Sequence, residues 1–227
     1  MSAVHRLAAF SSLPRLLRSF GLSTTGVLHV GANDGSEIEE YARFGITRSI
    51  QIEALPIVYQ KLQARAAQYP GHTPICALVT DQEGQEMTFN VANNRGESSS
   101  IFAFGSHKGS HPEVGYVQEL KLRTTTIDRI MEDLPAEDRG YIKSMCIDTQ
   151  GSELLVLRGA TRTLPQIDVA LIEVSDGQVY SGGAQFDEIQ TFMTENGFDL
   201  VYTFINAFNW GEAFFVRRHL IGGHLRR

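Results

Sequence analysis

Short apolar runs alternate with segments of helical periodicity along almost the whole chain, and this alternation is what most restricts its fold. VLHV (27–30) runs into a glycine turn, and SEIEEYARF after it repeats its apolar positions at helical spacing. SIQIEA (49–54) reads as a second strand. Pro56 then opens a helix through about Tyr69, closed by Pro70-Gly71. HTPICALVT (72–80) reads as one third strand, and EMTFNVA (86–92) alternates like a half-exposed one. Further strands are VQELKLRTT, YIKSMCID (141–148) and DVALIEV (168–174). Helices are expected at IDRIMEDL behind the capping residue Thr126, at SELLVLRGA, and at FDEIQTFMTENGF up to Gly197. FDLVYTFINAFNWGEAFFVRR reads as two closing strands around an Asn-Trp-Gly turn. Strands alternating with helices predict an α/β fold whose mostly parallel sheet is covered on both faces. Residues 93–115, rich in Gly, Ser and His, have no period, and loops of that length are usually functional or disordered.

The 227 residues fit one large domain with at most a small extension. The division expected is a basic amphipathic helical extension over 1–25 and a single domain over 26–227. No acid precedes Asp34, and Arg6, Arg15 and Arg18 lie beside Leu13, Leu16, Leu17 and Phe20, with Pro14 as a first-turn residue. That composition permits an organelle transit peptide. The first strand follows directly at Gly26, however, and the apolar periodicity favours a helix packed against the domain. Twenty-six acids against twenty Lys and Arg leave a net charge of −6, the wrong sign for a nucleic-acid or polyphosphate binder. Cys76 and Cys146 lie in apolar runs and read as buried small hydrophobes in a reducing, cytoplasmic compartment. No apolar stretch approaches the ~18 residues of a membrane span.

The sharpest local signal is VLHVGANDGS, a strand entering Gly31-Ala32-Asn33-Asp34-Gly35 and then a helix. Glycines there permit a tight turn and close approach of a ligand, and the helix start offers N–H groups to a carboxylate or phosphate. About 20 residues on, Glu53 ends the next strand, where a carboxylate can take both hydroxyls of a ribose. Asn33 occupies the place of the second glycine of a dinucleotide fingerprint, and no P-loop pattern is present. A ribose-bearing ligand without a diphosphate fits better, and S-adenosylmethionine is the common one.

With these residues in view, the chain resembles the FkbM family of S-adenosylmethionine-dependent methyltransferases. The resemblance runs from about Val27 to Arg217, through VGANDG, IEALP, ESSSI, FGSHK with HPEV, TTTID, IDTQGSELLVLRGA, IEV and WGEAFFVR. It implies a class I methyltransferase (Rossmann-like) fold, with seven strands and the last antiparallel to the rest. It also implies O-methylation of a hydroxyl on a sugar, glycan or natural product. Gly31, Ala32, Asn33 and Gly35 would approach the methionine end of the cofactor, Glu53 would hold the ribose, and Asp81 would lie in the adenine region.

Transfer of a methyl group to a hydroxyl needs alignment of the reacting atoms and removal of a proton. Asp148 and Glu173 end neighbouring core strands, which lie about 4.8 Å apart, so the two acids can converge. They are candidates for the general base, or to share a divalent cation. His107 in FGSHK is a third candidate base. Ser98, Ser99, Ser100 and Asn94 are candidates to bind cofactor or acceptor hydroxyls, and Tyr180 and Trp210 to wall a sugar face. Glu153 is expected to serve its helix start. The competing readings are a non-catalytic nucleoside-binding module and a nicotinamide-dependent oxidoreductase. The missing second glycine weighs against the latter. Oligomeric state stays open, a homo-oligomer included. The Asn-Pro-Pro type motif of base methylation is absent.

Overall fold

The computed structural model describes residues 12–222. Helix α1 (Leu13–Ser19) leads into β1 (Val27–Val30), α2 (Glu37–Arg43), β2 (Ser49–Glu53), α3 (Pro56–Ala66) and β3 (His72–Cys76). The middle of the chain forms β4 (Leu78–Val79), β5 (Glu86–Ala92), β6 (Ala103–Phe104), α4 (His107–Ser110) and β7 (Tyr116–Thr125). Helices α5 (Ile127–Asp133) and α6 (Ala136–Arg139) precede β8 (Ser144–Ile147), α7 (Glu153–Arg158) and β9 (Val169–Ser175). The chain closes with β10 (Tyr180–Ser181), α8 (Phe186–Glu195), β11 (Phe198–Ile205) and β12 (Trp210–Arg217).

Seven strands form the main sheet in the order β11-β12-β9-β8-β1-β2-β3. β12 runs antiparallel to both its neighbours, and the pairs among β9, β8, β1, β2 and β3 are parallel. From β1 the chain builds outward through β2 and β3, then returns to β1's other side with β8. Ligands of open α/β sheets bind at the carboxyl ends of the strands beside such a reversal. The inner strands β1 and β9 are buried on both faces, so they read as continuous apolar runs rather than alternating ones.

The sheet's two faces carry separate packing. Ile52, Met145, Ile147, Ile172 and Phe215 meet the helices α5, α7 and α8 on one side. Leu13, Leu16 and Leu17 of α1 pack with Tyr41, Phe214 and Val216 on the other, and the Phe20 and Phe214 rings stack 5.7 Å apart. Pro14 sits in the first turn of α1, where its missing N–H costs nothing. The rest of the expected N-terminal helix, including Arg6, lies outside the described residues.

Four expectations change. HTPICALVT is two strands: after Ala77, whose N–H still reaches the Glu53 carbonyl at 3.1 Å, Leu78 and Val79 leave the main sheet and pair with Thr124 and Thr125 of β7. A second, three-stranded sheet β4-β7-β5 results. The final hairpin turns over residues 206–209, with Trp210 and Gly211 already in β12. Gly211 is required there by crowding, since a Cβ would fall 1.8 Å from the Phe204 carbonyl oxygen. Cys76 is exposed rather than buried, because β3 is an edge strand, and Cys146 is half-buried. The helix opened by Pro56 is regular only to Ala66. Among the described residues no helix is long and apolar enough to cross a membrane.

Candidate active site

The loop after β1 is held open by its glycines. Gly31 has φ +82°, and a Cβ there would lie 1.7 Å from the carbonyl oxygen of Asp148. Its N–H and that of Ala32 both donate to the Ile52 carbonyl at 2.9 Å, fastening the loop across the ends of β1 and β2. Glu53, almost fully buried, accepts from the Asn33 N–H at 3.0 Å and the Leu55 N–H at 2.7 Å. Burial outweighs those two donors and pushes its carboxyl up to about 7.

These residues border a cleft of about 410 Å³, within the range of small-molecule sites. Its lining brings together Gly31, Ala32, Asn33, Glu53 and Ser99 of the expected cofactor residues. Gly35 sits just behind, at φ +74° and packed against Leu62. Asp81 does not line the cleft. The departure of β4 toward β7 carries the residues after Thr80 to an exposed turn, and Ala54, Ala77, Leu78 and Phe89 form the apolar wall instead. The anion subsite expected at the start of α2 is served internally. Asp34 accepts the Ser36 N–H at 3.1 Å and pairs with Arg65 at 2.9 Å, and Glu37, Glu39 and Glu40 fill the first turn. Ser99 uses its hydroxyl to accept the Ala92 N–H at 3.0 Å, which fixes the loop.

Asp148 and Glu173 do converge. The Gln150 amide bridges them, its Nε2 lying 2.6 Å from Asp148 Oδ1 and 2.9 Å from Glu173 Oε2. The Tyr180 hydroxyl donates to Gln150 Oε1. Asp148 is reachable by solvent from the cleft yet encircled by protein. That enclosure raises its carboxyl, while the Gln150 and Glu173 donors pull it back. Glu173 is raised much further, first by enclosure and then by the charge of Asp148. Like charges this close share one proton. Among the described residues no group of three or more His, Cys, Asp or Glu is placed to hold a metal ion. The acids carry the Gln150 amide between them.

A second cavity of about 450 Å³ adjoins the first, and Asp148 and Gln150 border both. It collects Glu173, His107, His111, Ser98, Tyr180 and Trp210, and its described lining carries no Lys or Arg. His107 Nε2 is 3.2 Å from Ser98 Oγ, which the Asn94 amide also donates to at 2.9 Å. Burial, then the neighbouring His111, lowers the His107 imidazole below its ordinary value, so it is neutral at pH 7. Its ring stacks on Phe104 at 4.5 Å, and Phe104 stacks on Tyr116 at 4.0 Å. Ser100 donates to the Gln150 carbonyl at 2.7 Å. Glu153 lines neither cavity: it accepts the N–H groups of Thr149 and Gly151 at 2.8 and 3.0 Å, clamping the loop that presents Asp148.

Gln150 is the site residue that the sequence reading missed. Its partners stand 23 and 30 residues away in β9 and β10, so no local spacing reveals it. The signal available was its place between Asp148 and Gly151 at a strand end.

Residues 29–200 match the family described as Methyltransferase FkbM domain. No curated protein matches the sequence. Among solved structures, a magnesium protoporphyrin IX methyltransferase from Synechocystis PCC 6803, with bound S-adenosylhomocysteine, is similar at TM-score 0.52 and 11% identity, over 94% of this chain and 84% of that one. A 1,6-didemethyltoxoflavin-N1-methyltransferase from Burkholderia thailandensis is similar at TM-score 0.50 and 10% identity, over 95% and 78%. At such identities the likeness carries the fold: a class I methyltransferase sheet with β12 as its antiparallel strand.

Proposed function

We propose that this chain, which belongs to the FkbM methyltransferase family, uses S-adenosylmethionine to methylate a hydroxyl of a sugar, glycan or natural product. The observation that carries the reading is the position of Asp148. It borders both the glycine-lined cleft and the aromatic cavity beside it, whose described lining carries no Lys or Arg. The cleft fits the cofactor on its own terms. Gly31, whose backbone lines the cleft, packs so closely on the Asp148 carbonyl that any side chain there would collide. The Glu53 carboxyl keeps acceptor capacity beyond its backbone partners, which suits ribose hydroxyls. Ala54, Leu78 and Phe89 offer an apolar slot for a base.

When bound, S-adenosylmethionine supplies an activated methyl group on a cationic sulfur. The residues of this chain supply alignment and a proton sink. Tyr180 and Trp210 line the second cavity, where aromatic side chains suit the C–H face of a sugar. Asp148, with its carboxyl raised and its charge shared with Glu173, takes the hydroxyl proton. His107 is already bonded to Ser98 and acts as part of the wall that shapes the cavity. The thiol of Cys76, exposed on the edge strand, suits a reducing, cytoplasmic setting.

The test is transfer of a labelled methyl group to a panel of neutral sugars and hydroxylated natural products, with the product linkage read by NMR. A methyl ether is the expected product. Cofactor binding without transfer to any acceptor would favour the non-catalytic module, and methyl on nitrogen or carbon would overturn the hydroxyl assignment.

A further inference from the structure

We infer that Gln150 is the positioning residue of the Asp148–Glu173 pair, holding the two carboxyls in fixed orientation so that Asp148 is presented to the acceptor. The inference rests on the proposed proton transfer to Asp148. Both hydrogens of the Gln150 amide nitrogen are directed at carboxyl oxygens, at 2.6 and 2.9 Å, and the amide oxygen receives the Tyr180 hydroxyl. This arrangement reads in one direction only. A flipped amide would set its oxygen against the Asp148 carboxylate and leave both carboxyl groups without its N–H donors.

The backbone is committed to the same end. Gln150 has φ +55°, a conformation that L side chains other than Asn and Asp rarely adopt. Strain of this kind persists where the surroundings over-determine it. Here the Gln150 carbonyl accepts the Ser100 hydroxyl at 2.7 Å and the next N–H is held by Glu153 at 3.0 Å. Tyr180 is fixed in turn by pairing with Phe104 in the β10–β6 ladder. It also packs on Gly151, where a Cβ would come within 2.9 Å of its own. Segments 148–151, 169–175 and 178–183 therefore meet at the Gln150 side-chain amide, while Ser100 holds its backbone carbonyl.

The pair is also faced by His29 from β1, Glu37 from α2, Glu53 from β2, Glu153 from α7 and Glu212 from β12. In this acid-rich setting a neutral double donor is the side chain that holds two carboxyls together without adding charge. A carboxylate of the same length would remove a donor and add repulsion.

The experiment compares Gln150→Leu and Gln150→Glu with the wild-type chain in two readouts. Infrared titration of the protonated carboxyl band, without cofactor and assigned by difference against Glu173→Gln, follows the pair itself. The pH profile of kcat on a productive acceptor follows its use. Both variants are expected to move the pair's titration upward, Gln150→Glu by about one pH unit or more, and to shift the acidic limb of kcat with it. Cofactor affinity is measured alongside, because Gln150 borders the cleft, so that a loss of binding is separated from a loss of turnover. If Gln150→Leu fails to fold, Gln150→Glu, which keeps the shape, carries the comparison. Titrations that superimpose on wild type overturn the inference even if kcat falls. A wild-type chain that methylates nothing sinks the functional reading separately, and the infrared titration still decides the role of Gln150.

Discussion

Replacing Gly31 by alanine tests the architecture of the cleft at its tightest point. The new Cβ would lie 1.7 Å from the Asp148 carbonyl oxygen, so the ends of β1 and β8 must separate by about 1.3 Å to reach the 3.0 Å that real Cβ atoms keep. The Asp148 N–H to Val30 C=O bond, 3.0 Å long, spans that seam and would break. A left-handed alanine costs roughly 1–2 kcal/mol, and a buried backbone donor left unpaired roughly 1–3 kcal/mol more. The expected loss is about 2–5 kcal/mol, a large share of the ~5–15 kcal/mol that holds a domain folded. Gly45→Ala isolates the collision, because Gly45 has almost the same φ, +81°, with nothing within 4 Å of a Cβ. It should lose only the conformational part, roughly 1–2 kcal/mol. Chemical denaturation of both variants gives the difference, and calorimetry with S-adenosylmethionine gives the effect on binding. Binding should vanish or fall by orders of magnitude in Gly31→Ala alone. A Gly31→Ala chain no less stable than Gly45→Ala would refute the reasoning.

Other outcomes follow from the same geometry. Asp148→Asn should cut turnover by ~10²–10⁴-fold, the usual weight of a general base, while cofactor affinity by calorimetry changes little; near-normal turnover removes Asp148 from the chemistry. Trp210→Ala should raise the acceptor KM while leaving cofactor affinity alone, since Trp210 lines the second cavity and not the first; steady-state kinetics against both ligands decides it. Glu53 and Glu153 have carboxyls raised from 4.5 to about 7 in the folded chain. The native state therefore binds more protons than the unfolded one between those values, and stability should fall as pH rises from about 4.5 to about 7, then level off. Denaturation midpoints across that window should show a shallower decline when both residues are glutamine, and an unchanged slope would mean that burial does not hold their protons.

What the sequence disclosed and what it hid follow a physical division. Strands buried on both faces announce themselves as apolar runs, so VLHV, SIQIE and VALIEVS were readable in place, as was the convergence of Asp148 and Glu173 from neighbouring strand ends. The break inside HTPICALVT was hidden, because Ile75 and Leu78 are equally apolar and only long-range pairing with Thr124 tells the two strands apart. For the same reason the exposed turn that carries Asp81 away from the cleft lining was not foreseen. Gly211 looked like a turn residue because close backbone approach within a strand leaves the same mark as a turn. The helix start at Ser36 looked ready for an anion until Asp34 and the acids of α2 were seen to serve it. Gln150 was invisible because its meaning lies in Glu173 and Tyr180, far along the chain.

Calorimetric titration of the wild-type chain and of Glu53→Ala with S-adenosylmethionine bears most directly on the whole account. One cofactor should bind per chain, and the variant should bind at least about tenfold more weakly, the equivalent of ~1.4 kcal/mol for hydroxyls left without their acceptor. No heat from the wild-type chain, or equal affinity in the two, would contradict it.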